Sequence, residues 1–274
     1  MSFNNGSKSK VILALIAVGS ILGGCSQEEV TAPRSAEAIF ESAMEKYNNE
    51  DFQEAYEEFR VLTLQYPGSA LSDDAQFLMG ESKFSREEFI LAAYEFEIVV
   101  RTMPTSEFVP NARFKMALCH FEAARPFYLD QESTRRAIDG FQAFIEYHPT
   151  DARVPEAEAK INELNYRLAE KEYESGLIYM KMDYYRAAGV SFDHVLEKYH
   201  DTPYAESAYF KKGEVLFYRR RYKEAGEILK RFLERYPASV HREDALSLVK
   251  QIEDRSAESP PAAEKVTQSG GIEG

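Results

Sequence analysis

The sequence contains no tryptophan and only two cysteines, Cys25 and Cys119. One disulfide at most could form, which excludes a disulfide-stapled scaffold. β-Branched residues are sparse and rarely alternate with polar ones, so no strands are expected. A membrane-spanning helix needs about 20 apolar residues, whereas the apolar run from Val11 to Leu22 has twelve. Basic residues are outnumbered, 33 against 46, for a net charge of −13. Such a balance argues against nucleic-acid binding, which relies on a basic footprint. The five histidines (His120, His148, His194, His200, His241) show neither HExxH nor Cys/His metal spacing. GxSxG, P-loop and dinucleotide fingerprints are missing as well. Cys119, within Ala117-Leu-Cys-His-Phe121, reads as a small buried helix-packing residue rather than a catalytic thiol. No catalytic residue, metal site or cofactor is therefore expected.

What the chain does have is a sentence it keeps rewriting. The frame is an aromatic at Tyr222, then Ala225, Leu229 and Phe232, closed by Tyr236-Pro237. Apolar positions at i, i+4 and i+7 make one helical stripe, and the proline stops it. The frame occurs at Phe52, Ala55, Phe59, Leu62, Tyr66-Pro67 and at Phe89, Ala92, Phe96, Val99, Met103-Pro104. It returns at Ala137, Phe141, Phe144, His148-Pro149 and, more weakly, at Tyr185, Ala188, Phe192, Val195, Tyr199-His200. Twelve residues before the small residue of four copies stands another, at Ala43, Gly80, Gly176 and Gly213. The pattern is a five-fold repeat of helix pairs, each with a first helix A and a second helix B.

Two copies depart in length. Ala117 to Ala137 is 20 residues where 12 are usual, so the third pair carries an insertion around Ala124–Gln131 that should form an ordered loop, with Pro126 ending or kinking helix A. The Ala/Glu-rich surplus after Val154 predicts a long fourth A helix running to about Met180. Ser239 reads as the cap of a final helix to Asp254, which would close the exposed end of the array. From about Arg255 the Ser/Pro/Ala and Ser-Gly-Gly composition cannot bury a core and should be disordered.

The N-terminal segment is a targeting signal. Lys8 and Lys10 precede the apolar run, which ends Leu22-Gly23-Gly24-Cys25. That ending looks like the bacterial lipobox, which implies cleavage before Cys25, a diacylglycerol thioether on its sulfur and acylation of its amino group. Several acyl chains, at roughly 0.8 kcal/mol per buried CH₂, hold far more firmly than one. Ser26 is similar to the residue found after the cysteine in outer-membrane-destined members. The organisation expected is a signal peptide over 1–24, a lipidated cysteine and tether over 25–35, a repeat domain over 36–254 and a tail over 255–274. Within the repeat domain the pairs fall at about 36–67, 71–104, 107–149, 153–200 and 203–237, with the cap at 239–254.

The repeats resemble the tetratricopeptide pattern, with small residues at its positions 8 and 20, an apolar residue at 24 and a proline at 32. The resemblance implies an all-α fold, a right-handed superhelix of five helix pairs plus a C-terminal capping helix. The A helices would line its concave face. An aromatic stands three residues before each A-helix small residue: Phe40, Phe77, Phe114, Tyr173 and Phe210. These rings are open to two readings, a ladder for an extended peptide or interhelical core. Tyr47, Phe84, Phe121 and Phe217, nearer the turns, are open to the same two. Charge is also uneven. Residues 36–67 hold eight acids against two bases, net −6, while residues 207–242 hold ten bases against four acids, net +6. Arg219-Arg220-Arg221, at the last A–B turn, could grip an acidic patch or simply be solvated.

Lipobox, short tether, five pairs, enlarged third pair and cap together resemble the BamD-type lipoproteins of the bacterial outer-membrane β-barrel assembly machinery. That resemblance implies a non-catalytic scaffold on the periplasmic face of the outer membrane, held by the lipid on Cys25. Its implied partners are the barrel insertase, met through the C-terminal repeats, and unfolded outer-membrane protein clients, met through the N-terminal ones. Other lipoproteins of the machinery are further possible partners. Mapped here, Arg219, Arg220 and Arg221 are candidates for the insertase contact and Phe40, Phe77 and Phe114 for the client groove. The alternative is a periplasmic tetratricopeptide adaptor for Tol-type envelope maintenance or pilus assembly. A Tol-system adaptor would carry an N-terminal coiled coil, for which residues 26–35 are too short. A nutrient-binding lipoprotein would instead need a deep closed pocket.

Overall fold

A computed structural model describes residues 34–258, all helix and turn. The signal segment, Cys25 and residues 259–274 lie outside the described residues. Ala36 begins a repeat unit of eleven helices among the described residues. The pairs are α1 (Ala36–Asn48) with α2 (Phe52–Gln65), α3 (Ser72–Ser85) with α4 (Phe89–Thr102) and α5 (Val109–Glu122) with α6 (Glu132–Tyr147). Then come α7 (Val154–Lys181) with α8 (Tyr185–Lys198), α9 (Tyr204–Tyr218) with α10 (Tyr222–Arg235), and α11 (Arg242–Glu258). Each helix packs on the next in sequence, and α9 also touches α7 and α11.

The repeated frame is the core. Its three internal positions in every B helix are fully buried: Ala55, Phe59 and Leu62, Ala92, Phe96 and Val99, Ala137, Phe141 and Phe144, Ala188, Phe192 and Val195, Ala225, Leu229 and Phe232. The matching small residue of helix A lets the two helices approach. A Cβ on Gly80 would lie 2.6 Å from the Phe96 ring, one on Gly176 2.5 Å from Phe192, and one on Gly213 2.6 Å from Leu229. In the third pair the roles are shared, since a Cβ on Gly140 of α6 would lie 2.9 Å from that of Ala117.

The turns repeat too. Glu50, Glu87, Asp183 and Arg220 follow their A helices with φ near +60° (65°, 59°, 59° and 59°). Each sits in a left-handed cap, where the next residue's N–H reaches back to the helix, as Arg221 does to the Leu216 carbonyl at 2.9 Å. Between pairs, a side-chain oxygen accepts an N–H two residues on: Ser69 from Leu71, Ser106 from Phe108, Asp151 from Arg153 and Ser239 from His241.

The third-pair insertion is an ordered loop because buried Gln131 organises it. Its Nε2 donates to the carbonyls of Pro126 at 2.8 Å and Leu129 at 3.1 Å, while Thr134 donates to its Oε1 at 2.8 Å. From α7, Arg167 of the extra turns donates to the Ala124 carbonyl at 3.5 Å and Lys171 to the Leu129 carbonyl at 2.7 Å. The insertion and the lengthened helix therefore support each other. The cap helix continues past Asp254, correcting the expectation of disorder from Arg255. Arg255 packs its guanidinium over the Tyr222 and Phe217 rings and donates to the Tyr222 hydroxyl at 3.2 Å, which secures another turn.

Candidate functional site

The aromatic ladder is interhelical packing. Each of its five rings meets a core phenylalanine of its own B helix, with centroids 5.7 Å apart for Phe40–Phe59, 5.3 Å for Phe77–Phe96 and 5.6 Å for Phe114–Phe141. Tyr173–Phe192 and Phe210–Phe232 repeat the contact at 5.8 Å. Phe114 corrects the client-groove reading outright: it is 5% exposed, wedged also against Phe144 and roofed by the Arg153 guanidinium. A ring that fills this core offers no surface to a client. Phe40 and Phe77 are half-buried, Phe77 stacking on Phe108 at 4.8 Å. The turn-proximal rings are spent similarly, as in Tyr47–Phe52, Phe84–Phe89 and Phe217–Tyr222. Cys119 is fully buried, and burial pushes its thiol up to about 12, so it is no nucleophile.

The strongest candidate surface lies between the B helices α8 and α10, over one face of α9. A recess of about 360 Å³ there has an apolar floor of Val215, Leu216 and Ile228, rimmed by Val190 and the cations Arg186, Lys212, Arg219, Arg221 and Arg231. It adjoins a second recess of about 670 Å³ lined by Asp183, Tyr184, Tyr185, Arg186, Ala187, Arg219 and Arg221. Three of the cations are neutralised within the chain. Lys212 meets Asp193 at 2.6 Å, Arg231 lies 3.8 Å from Glu227, and Arg221 grips both oxygens of Glu224. The Arg186 and Arg219 guanidiniums make no hydrogen bond or ion pair among the described residues.

The three arginines of the turn are thus not equivalent. Arg219 and Arg221 line both recesses, whereas Arg220, in the left-handed cap, lines neither. Arg186, which sequence reasoning missed, completes the pair of free guanidiniums. Its signal was faint: it stands two residues before the buried Ala188, on the outward side of a B helix. Around these charges the surface is apolar and aromatic. Val190 is 56% exposed, Tyr184 58%, and Tyr218 stacks on Tyr185 at 5.2 Å. Exposed rings beside uncommitted guanidiniums are the composition from which protein-binding hot spots are built. A carboxylate-bearing, partly apolar protein segment suits this groove. Among the described residues no group of three or more His, Cys, Asp or Glu side chains could hold a metal, and no helix is long and apolar enough to cross a membrane.

Comparison with known proteins places the chain. The profile of a family described as outer membrane lipoprotein (YfiO) matches residues 33–221. The chain belongs to this family. A tetratricopeptide-repeat profile also matches residues 207–239, the last helix pair. Among curated relatives, the outer membrane protein assembly factor BamD of Rickettsia prowazekii is 24% identical over 250 residues, covering 90% of this chain and 99% of its own. The protein of the same name from Caulobacter vibrioides is 23% identical over 209 residues, covering 74% and 68%. Of solved structures, the TPR2AB-domain:pHSP90 complex of yeast Sti1 is 13% identical with a TM-score of 0.39, covering 81% of this chain and 84% of that one. The all-helical repeat fold rests on the helices themselves and on the repeat profile.

Proposed function

We propose that this protein is a non-catalytic scaffold of outer-membrane β-barrel protein assembly; its relatives in Rickettsia and Caulobacter are named outer membrane protein assembly factors. Its lipid on Cys25 holds it to the periplasmic face of the outer membrane. The C-terminal repeats dock on the periplasmic domains of the barrel insertase, with Arg186 and Arg219 taking carboxylates and Val190 and Tyr184 taking apolar side chains. The N-terminal repeats help receive unfolded clients, where the acidic first pair and the half-buried Phe40 and Phe77 lie. Other lipoproteins of the machinery join the same scaffold. The observation that carries the docking site is the pair of unpartnered guanidiniums over an apolar floor.

A charge reversal tests it. Arg186→Glu with Arg219→Glu removes two unpaired cations and touches no core residue, so the melting temperature should stay within a degree or two. Losing a charge-assisted pair in a desolvated contact costs about 2–5 kcal/mol. Co-purification of a large outer-membrane barrel protein in mild detergent should therefore fall at least tenfold. Undiminished co-purification would remove the groove from the interface. Tol or pilus components in place of a barrel protein would move the protein to the envelope-adaptor class.

A further inference from the structure

Residues 259–274 follow α11 and lie outside the described residues, but the point from which they start is fixed. Lys230 of α10 meets Glu253 of α11 at 2.9 Å, and Arg255, three residues before the end of α11, donates to the Tyr222 hydroxyl at 3.2 Å. Tyr222 is the first residue of α10, and the residue before it, Arg221, lines both recesses of the α8–α10 groove. The chain therefore leaves the repeats beside the first turn of α10, and the other side of that turn borders the groove. Packed helix axes lie about 8–10 Å apart. The six residues from Glu258 to Glu264 can span about 20 Å when extended, enough to cross α10 and enter the groove.

Groove and segment also match in chemistry. Arg221, Arg231 and Lys212 are taken up by Glu224, Glu227 and Asp193, which leaves Arg186 and Arg219 as the uncommitted cations of the lining. Between Ser259 and Gly274 stand two acids, Glu264 and Glu273, and two larger apolar residues, Val266 and Ile272, against the single base Lys265. The groove has room for a main chain as well. Gly189 of α8 lines it, and a Cβ there would meet only Val215, at 3.5 Å, so a passing backbone can come close to the helix.

We propose that residues 259–274 fold back into the α8–α10 groove of their own chain. Glu264 and Glu273 then meet the two free guanidiniums, and Val266 and Ile272 lie over the floor of Val215, Leu216 and Ile228. The segment is thereby a built-in competitor of the docking partner. That regulatory consequence rests on the docking proposed above, whereas the occupancy itself does not. A short tether holds a segment at an effective concentration of the order of 1 mM, so a contact with a Kd of about 1 mM fills the groove about half of the time. A partner then binds about twofold more weakly than it would to an empty groove.

A photo-crosslinking residue at Val190 of the full-length protein, purified free of other proteins, tests the occupancy by mass spectrometry. The expected product is intramolecular and joins position 190 to a residue between Ser259 and Gly274. Glu264→Lys with Glu273→Lys should reduce it at least fivefold, as should Arg186→Glu with Arg219→Glu. Combining all four should restore it, since the charges then match again with their signs exchanged. In mild detergent, the Glu264→Lys, Glu273→Lys protein should also retain about twofold more of the barrel protein; unaltered retention would remove the competitor role. Absence of the product, indifference to charge reversal, or a product of twice the mass, which would put a second copy in the groove, would overturn the proposal. The two readings fail separately. Arg186→Glu with Arg219→Glu releasing the barrel protein, with no product to residues 259–274, keeps the docking and removes the fold-back. The intramolecular product without any captured barrel protein does the reverse.

Discussion

Replacing Gly80 by alanine sets two opposed effects of known size against each other. Glycine in a helix interior is about 0.8–1.0 kcal/mol less favourable than alanine, so on propensity alone the change should stabilise α3. The added Cβ, however, lands 2.6 Å from Phe96 Cε1 and 2.8 Å from both Cδ1 and Cζ. Carbon atoms prefer about 3.5–4.0 Å, so the ring or the helix must retreat by roughly 1 Å. Phe96 cannot yield easily: it is fully buried and has Phe77 against it with centroids 5.3 Å apart. Overpacking of this kind costs about 1–3 kcal/mol. The balance is a net loss of about 1 kcal/mol, read as an earlier midpoint in urea. Gly68→Ala, whose Cβ would meet nothing within 4 Å, is the control and should be neutral or slightly stabilising. Combining Gly80→Ala with Phe96→Leu should show a favourable coupling of about 1 kcal/mol, since the smaller side chain admits the methyl. A Gly80→Ala protein as stable as the parent would refute the claim that these small residues set the helix spacing.

Two further consequences concern the third pair and the linker after it. Phe114→Ala should destabilise by about 3–5 kcal/mol, measured by chemical unfolding, because the ring is core; a loss under about 1 kcal/mol would return it to the surface. Arg153, through its side chain and its N–H, holds the Asp151 carboxyl down at about 2. The ordinary value is about 3.9, so this pair's stabilisation is fully present above about pH 4 and is lost as pH falls through the folded value near 2. It amounts to at most about 2 kcal/mol. Asp151→Asn should lower stability at pH 7 and flatten its decline between pH 4 and 2, followed by thermal melting; an unaltered acid limb would show that the carboxylate contributes nothing.

The fold was legible because a repeat states its core five times. Ala225, Leu229 and Phe232 alone are one apolar stripe, but the same spacing at Ala55, Phe59 and Leu62 makes the stripe a rule, and its prolines mark where pairs end. The loop at Ala124–Gln131 and the long α7 were visible as excess length, though their mutual support through Lys171 was not, since it joins residues 42 apart. Phe114 shows a different limit. A ring at helical spacing reads alike whether it packs on its own partner helix or faces a groove, and only the position of Phe144 and Arg153 decides. Among the turn arginines, the Arg221–Glu224 pairing was open to inspection as an i, i+3 neighbour. The freedom of Arg186 and Arg219 was not, because being unpaired depends on every side chain within reach in space. Cys25 lies outside the described residues, and its lipidation is what the lipobox implies.

The most direct measurement is a photo-crosslinking residue at Val190, between the two free arginines, introduced into the full-length protein in living cells. A scaffold that docks through the α8–α10 groove should give one dominant adduct, with a large outer-membrane barrel protein bearing periplasmic domains, and Arg186→Glu with Arg219→Glu should abolish it. An adduct with Tol or pilus components, or none while the same residue at an N-terminal position captures the barrel protein, would contradict the account.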